Sequence, residues 1–586
     1  MPLRSAHPVR SSVALAATTL LVACGGGDTL PVTPTIPQLA AATSAAFTGD
    51  CASLQTAFAG LANTQITLAE TVAAGVLTVG GQAVAEHCRV TGKMHERTST
   101  VDGQTYAIGF EVRLPKNWNG RFLHQGNGGI DGAVVTATGS TGGGPLTHAL
   151  AQGFAVLSSD AGHSGATPAF GVDPQARLDY GYQAVGKLTP MAKQAIQLTY
   201  GKGPDRSYFA GCSNGGRHAM VAAARYFADY DGILAGAPGY NLPLAATANL
   251  AGARLYETLA TVSPVTSQID LATAFSNTER QLVATKILAK CDALDSAADG
   301  MVQDVAACQT AFDPDADLPT CLGGRDGTCL SANQKSVLKT VFSGPKTSNG
   351  TLIYSSFPFD PGFSAGANPV AAGGSPVGSG IAFWEFFAST NLDSGATGII
   401  FNPTPADPAT FNPVTFSLTT NIDDLYAAMR STSTTYTESA MSFMTPPDAT
   451  NMKGLRNRGG KIMVYHGVSD SIFSVNDSEA WYKGVVQNTG DNFASFYRVP
   501  GMGHCSGGPA TDQFDMLTPL VNWVEKGVAP AEIVASARGA GNAGGVNTDL
   551  PAGWAADRTR PLCTYPKVAR YKGSGSLETA SSFVCQ

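Results

Sequence analysis

The sequence predicts an α/β fold: a largely parallel sheet flanked by helices and interrupted by one large insertion. Three observations carry this. Ser207-Tyr208-Phe209-Ala210 and Lys461-Ile462-Met463-Val464-Tyr465-His466 are short, nearly continuous apolar runs, the pattern of strands buried on both faces. The first run leads through a glycine turn into an Ala-rich stretch, 217–227, with apolar residues at helical spacing. Between Ser213 and Asp470 lies more than twice the chain that a few βαβ units need, which is on the order of 100 residues.

Composition narrows the class. The chain has 586 residues, 43% of them apolar, enough for a large core. Only 14% are charged, against about 25% in an ordinary globular domain, and 67 glycines fill part of the difference. The net charge of −7, without a long basic run, argues against nucleic acid as a ligand. Beyond the N-terminus no apolar run reaches 18 residues, so the body is not expected to span a membrane.

The chain starts like an export signal. Arg4 and Arg10 precede an apolar stretch, 13–23, too short to cross a bilayer. It ends Leu21-Val22-Ala23-Cys24, small residues before a cysteine, as in a bacterial lipobox, so Cys24 is the expected lipid attachment site. Residues 25–46 carry almost no charge and no periodicity, and read as a flexible tether. The expected organisation is a lipoprotein-type signal over 1–24, the tether over 25–46, a catalytic domain over 47–240 and 456–586, and a lid domain over 241–455. An exported chain keeps its disulfides. Eleven cysteines is an odd number, and removing Cys24 leaves ten. Short loops suggest Cys51 with Cys88, Cys291 with Cys308, Cys321 with Cys329 and Cys563 with Cys585, although sequence does not fix pairing. Cys212 and Cys505 remain.

Those two cysteines flank the chemistry. Gly211-Cys212-Ser213-Asn214-Gly215-Gly216 matches G-x-S-x-G between a strand and a helix, the turn that lifts a serine hydroxyl above a sheet. The pattern is frequent by chance in a glycine-rich chain, so the strand–turn–helix context is what makes Ser213 a nucleophile. A serine needs a base and an orienting acid, and on this fold, the α/β-hydrolase core, they follow in the order serine, acid, histidine. Asp470 stands on the turn after the strand 461–466. His504 stands in Pro500-Gly501-Met502-Gly503-His504-Cys505, after the strand-like run 493–499. The rivals fit less well: His218 sits on the elbow helix, His466 reads as buried in its strand, Asp160 precedes the serine, and Asp231 follows the elbow helix too closely. His163, on a loop after a strand, lines the site at most. If the three residues meet, the Cys212 and Cys505 sulfurs are brought close as well. The N–H of Asn214 and one from Gly126-Asn127-Gly128-Gly129, either Gly128 or Gly129, are the expected oxyanion donors.

The insertion carries two further features. Asp292, Asp295 and Asp299 lie within eight residues around an Asp-Gly turn, hard oxygen ligands of the kind calcium takes. Backbone carbonyls such as those of Ala297 and Met301 complete such a shell, although a solvated acidic turn accounts for the composition equally well. Phe383-Trp384-Glu385-Phe386-Phe387 offers rings, Trp384 foremost, to stack on an aromatic group or to pack within the lid. The stretch 342–415, rich in Pro, Gly and Ser, reads as loop-heavy.

With these residues in view, the chain resembles the tannase and feruloyl esterase family. The resemblance includes Asn117-Trp118-Asn119-Gly120-Arg121-Phe122, Asp160-Ala161-Gly162-His163, Gly211-Cys212-Ser213, Tyr230-Asp231-Gly232-Ile233-Leu234-Ala235-Gly236-Ala237-Pro238, Cys291-Asp292-Ala293-Leu294-Asp295, His504-Cys505 and the tail from Leu562-Cys563 to Gly573-Ser574-Gly575. It implies an α/β-hydrolase core with a lid, a Ser213–Asp470–His504 triad and a Cys212–Cys505 bridge. It also implies a structural calcium on Asp292, Asp295, Asp299, Ala297 and Met301, and small aromatic esters as substrates. Terephthalate-type members hold a free carboxylate with a lid arginine. Here the lid arginines are Arg254, Arg280, Arg325 and Arg430, none of them shortly after Trp384. A non-catalytic binding lipoprotein on the same scaffold is the contrasting expectation, and oligomeric state is left open.

Overall fold

The computed structural model describes residues 36–144, 146–264, 267–365 and 383–586, with the side chains of 383–387 excepted. Cys24 and the rest of the expected signal lie outside the described residues. The central sheet has nine strands: β1 (Thr64–Val72), β2 (His87–Thr98), β3 (Thr105–Pro115), β4 (Arg121–Gly126), β5 (Ala155–Ser159), β6 (Arg206–Cys212), β7 (Gly232–Gly236), β8 (Lys461–Gly467) and β9 (Ala494–Val499). Their spatial order is β9-β8-β7-β6-β4-β5-β3-β2-β1. The six strands from β9 to β5 run parallel, and β3, β2 and β1 continue antiparallel. The helices are α1 (Ala184–Tyr200), α2 (Asn214–Arg225), α3 (Leu242–Glu257), α4 (Asn277–Cys291), α5 (Val475–Thr489) and α6 (Leu517–Lys526).

The apolar continuity of the parallel strands has a direct cause. All residues of β7 and β8 are buried, and successive side chains point to opposite faces. Ile462 and Val464 join a core formed with α1, α2 and α5, whereas Met463 and Tyr465 join a second core under α6. Strands covered on both sides have no polar face to show, which is why they lack alternation.

Between Gly236 and Lys461 the chain leaves the sheet. This segment builds its own core from Tyr256, Phe275, Ile287, Phe312, Leu338 and Phe363. A further cluster joins Leu242, Ala245 and Ala246 of α3 to Tyr180, Phe443 and Phe473. One reading is extended and one needs correction. The stretch 342–415 has the expected loops, at 344–360 and 401–412, and Phe383–Asp393 and Ala396–Ile400 are helical. Ile399 and Ile400 are buried there, and that packing supports a helix which local composition does not announce. The tether is anchored over 36–46. Ala45 and Ala46 pair with Trp118 and Asn117, Gln38 donates to the Val524 carbonyl, and the Ala42 N–H donates to Glu525. These partners lie far along the chain, so nothing local reveals them.

Five disulfides form: Cys51–Cys88, Cys212–Cys505, Cys291–Cys308, Cys321–Cys329 and Cys563–Cys585. Four close short loops. The Cys212–Cys505 bridge spans 293 residues and links the end of β6 to the turn after β9.

Candidate active site

Parallel strands of an open α/β sheet direct their carboxyl ends to one edge, where loops from several strands meet. Ser213 follows β6, Asp470 follows β8 and His504 follows β9, so the sheet itself brings together residues far apart in sequence. Ser213 has φ 65° and ψ −127°, a conformation costly for a residue with a side chain. The turn is held in place by close backbone approaches. A Cβ on Gly215 would stand 2.3 Å from the Gly126 carbonyl oxygen, and one on Gly216 would stand 2.4 Å from that of Gly236. Only glycine fits at either position.

The structure brings the three expected residues together. Ser213 Oγ lies 2.7 Å from His504 Nε2, and His504 Nδ1 lies 2.7 Å from Asp470 Oδ2. Asp470 is fully buried, which alone would favour the neutral acid. The His504 charge and hydrogen bonds from His466 and His504 outweigh burial and hold the carboxyl below the usual carboxylate range. The N–H groups of Ile472 and Phe473 both donate to Asp470 Oδ1 at 3.0 Å. His466 is buried with its ring bonded to Ser478 Oγ and the Phe473 carbonyl. The Phe473 ring stands edge-on to His504, with 5.3 Å between centroids.

Gly128 lies beside the serine: a Cβ there would be 3.8 Å from Ser213 Cβ. Gly129 has φ 65°, and its carbonyl accepts from the Tyr180 hydroxyl at 3.4 Å. Asn214 begins α2 and is buried. Sequence reasoning missed the polar cluster around its side chain. Asn214 Nδ2 donates to Asp131 Oδ2 at 2.8 Å, and Arg217 Nε donates to Asn214 Oδ1 at 2.7 Å. Arg217 also donates to the carbonyls of Tyr180 and Gly181. His218 Nε2 lies 2.9 Å from Asp131 Oδ2. Burial, then the Arg217 charge, pushes the His218 pKa well down. Burial pushes Asp131 up to about 7 against the pull of His163, Arg217 and Asn214. The Asp131 N–H also donates to the Gly128 carbonyl at 3.3 Å, which ties the glycine loop to the elbow helix. A buried Arg on an otherwise Ala-rich helix was the available signal. His163 is buried and stacked on Phe170 at 3.6 Å. Trp384 lies in the helical segment Phe383–Asp393, with its side chain outside the described residues.

The acidic loop follows α4 and is clamped by the Cys291–Cys308 bridge. Asp292 Oδ1 accepts from the N–H groups of Asp299 and Gly300, and Asp295 accepts from those of Ala297 and Gln303. Asp299 accepts from the Met301 N–H and pairs with Arg560. Burial above all, with repulsion from Asp299 and Asp292, pushes Asp295 up to about 7. Hard oxygen donors that repel one another suit a cation in their chemistry. Among the described residues, however, no three acidic, His or Cys side chains converge closely enough to grip an ion as they stand. Of the lid arginines, Arg254 donates to the Thr420 carbonyl, Arg325 pairs with Glu279 and Arg430 stacks on Tyr426. Arg280 is buried over Phe363.

A mostly parallel sheet with a strained serine turn at its carboxyl edge is the architecture of an α/β-hydrolase. Known proteins narrow the class. The profile described as "Tannase and feruloyl esterase" matches residues 88–586. The mono(2-hydroxyethyl) terephthalate hydrolase of Piscinibacter sakaiensis is 39% identical over 544 residues, 87% of this chain and 86% of its own. A probable feruloyl esterase B of Emericella nidulans is 30% identical over 500 residues, 82% of this chain and 83% of its own. Among solved structures, feruloyl esterase B from Aspergillus oryzae superposes with a TM-score of 0.69 at 24% identity, covering 92% of this chain and 99% of that one. The chain belongs to the tannase and feruloyl esterase family, and is a carboxylic ester hydrolase.

Proposed function

We propose that the protein is an extracytoplasmic serine esterase that hydrolyses esters of aromatic acids of the feruloyl or galloyl type. The observation that carries this is the continuous Ser213–His504–Asp470 contact, 2.7 Å at each step, in a chain of this family. Ser213 attacks the ester carbonyl while His504 takes its proton and Asp470 holds the imidazole tautomer. N–H groups of Asn214 and of Gly128 or Gly129 stabilise the oxyanion. The alcohol leaves, and water activated by His504 releases the acid. The inserted segment serves as the lid, with Trp384 against the acyl ring. Five disulfides fit a compartment outside the cytoplasm, with Cys24 as the lipid anchor. Among the described residues no helix is long and apolar enough to cross a membrane.

The test is a panel of methyl ferulate, methyl gallate and mono(2-hydroxyethyl) terephthalate, compared by kcat/KM. The two methyl esters should be the better substrates. The second reading, a terephthalate-monoester hydrolase, is favoured by the 39% identity to an enzyme of that name. A higher kcat/KM on the terephthalate monoester would replace the first reading with the second.

Calcium on the side chains of Asp292, Asp295 and Asp299 and the carbonyls of Ala297 and Met301 would be structural, neutralising carboxylates that otherwise repel. At free calcium about 100 times its Kd, binding adds roughly 2.7 kcal/mol to stability. Chelation should therefore lower Tm by roughly 2 °C in a chain of this size, and added calcium should restore it. An unchanged Tm after complete chelation would rule the site out.

A further inference from the structure

Asp360 belongs to the inserted segment, yet its carboxylate reaches both the acid turn and the base turn. It is 2% exposed and opens the short helical turn Pro361–Ser364. Its Oδ1 accepts from Ser469 Oγ at 2.5 Å and from the Gly362 N–H at 2.9 Å. Its Oδ2 accepts from the Gly501 N–H at 3.3 Å. Ser469 immediately precedes Asp470, and Gly501 stands three residues before His504. The backbone of the insertion presses on the same two turns. A Cβ on Gly362 would lie 2.3 Å from Ser469 Oγ and 2.8 Å from the Gly501 carbonyl oxygen. The turns also meet directly, through the Ser469 N–H and the Met502 carbonyl at 3.0 Å.

We propose that Asp360 is a positioning residue, through which the inserted segment fixes the spacing between the Asp470 turn and the His504 turn. This rests on the reading of Ser213, His504 and Asp470 as the catalytic residues. Three donors converge on one buried carboxylate, and two of them come from the turns whose separation decides whether His504 meets both partners. A cap for the Pro361–Ser364 turn alone would need only the Gly362 bond.

Ser469→Ala separates the two roles, because it removes a tie to the acid turn and leaves the Gly362 cap bond, and Asp360→Asn weakens the carboxylate from the other side. Whichever way the amide is oriented, its NH₂ faces a backbone N–H, that of Gly501 or that of Gly362. One tie is broken while side-chain volume is kept. Ser469→Ala removes the acid-turn tie from the other side and leaves Asp360 in place. Both variants are assayed on the best panel substrate, with folded protein quantified by near-UV circular dichroism. Displacement of catalytic groups by an ångström costs on the order of 10²-fold, so kcat should fall about 10- to 100-fold. KM should stay within roughly twofold if Asp360 acts through the two turns rather than on the substrate.

A kcat within about twofold of wild type for both variants, with only Tm lowered, would overturn the proposal and leave Asp360 as a turn cap. If Asp360→Asn does not fold, Ser469→Ala alone decides by the same criterion. The underlying reading fails separately: a fluorophosphonate probe that does not label Ser213 in the wild-type protein would refute the catalytic assignment, whatever the Asp360 variants do.

Discussion

Replacing Ser213, the proposed nucleophile, by alanine should give a folded protein whose kcat on ester is lowered on the order of 10⁴- to 10⁶-fold. The size follows from what remains. The oxyanion donors and the binding surface still act, but no covalent intermediate forms and His504 has no hydroxyl to deprotonate. Folding should be nearly unaffected. The serine side chain loses one hydrogen bond, to His504 Nε2, worth roughly 1 kcal/mol. The strained backbone, φ 65°, is kept, because alanine is no more at ease there than serine. The elbow is also held by the Ser213 N–H to the Gly236 carbonyl at 3.0 Å and by the adjacent Cys212–Cys505 bridge, neither of which involves the hydroxyl. The checks are kcat on an aryl-acid methyl ester and Tm by calorimetry. Wild-type turnover by the alanine variant would sink the assignment.

The sequence made Ser213, Asp470 and His504 legible for a physical reason. Each sits at the carboxyl end of a strand buried on both faces, and such strands are continuous apolar runs ending in a turn. β6, β8 and β9 were therefore readable to within one or two residues, and the three residues that meet at the carboxyl edge sat just past where the runs stopped. The same locality explains the disulfides that close short loops. What stayed hidden depends on partners far along the chain. The anchoring of residues 36–46 depends on Glu525 and Val524. The link between Asp131 and Asn214 joins two turns 83 residues apart. Asp360 reaches Ser469 across 109 residues, and a lone Asp in a Pro-Gly stretch carries no mark of that contact. The helical segment Phe383–Ile400 was also hidden, since tertiary burial rather than propensity sustains it.

Asp470→Asn should lower kcat by about 10⁴-fold while the site keeps its shape. Hydrogen bonding dictates this. Asp470 Oδ1 receives two backbone N–H groups, from Ile472 and Phe473, so only the carbonyl oxygen of an asparagine is accepted on that side. Its NH₂ must then face His504 Nδ1, which becomes an acceptor. The imidazole proton moves to Nε2, and a protonated Nε2 takes no proton from Ser213. The opposite amide flip sets an NH₂ against two N–H donors, which in a buried site costs more than it restores. Stability should respond as well. The folded-state pKa of Asp470 lies below the ordinary carboxylate value, so the ionised acid stabilises the fold above pH ~4, and that contribution is lost as pH falls towards the folded pKa. The asparagine variant lacks it, so its Tm should fall less steeply with acid than that of the wild type. The two measurements are kcat at neutral pH and Tm between pH ~3 and ~7. A variant within tenfold of wild-type kcat would show that another carboxylate orients His504. A wild-type acid dependence left intact by the substitution would show that the Asp470 charge is not what acid removes.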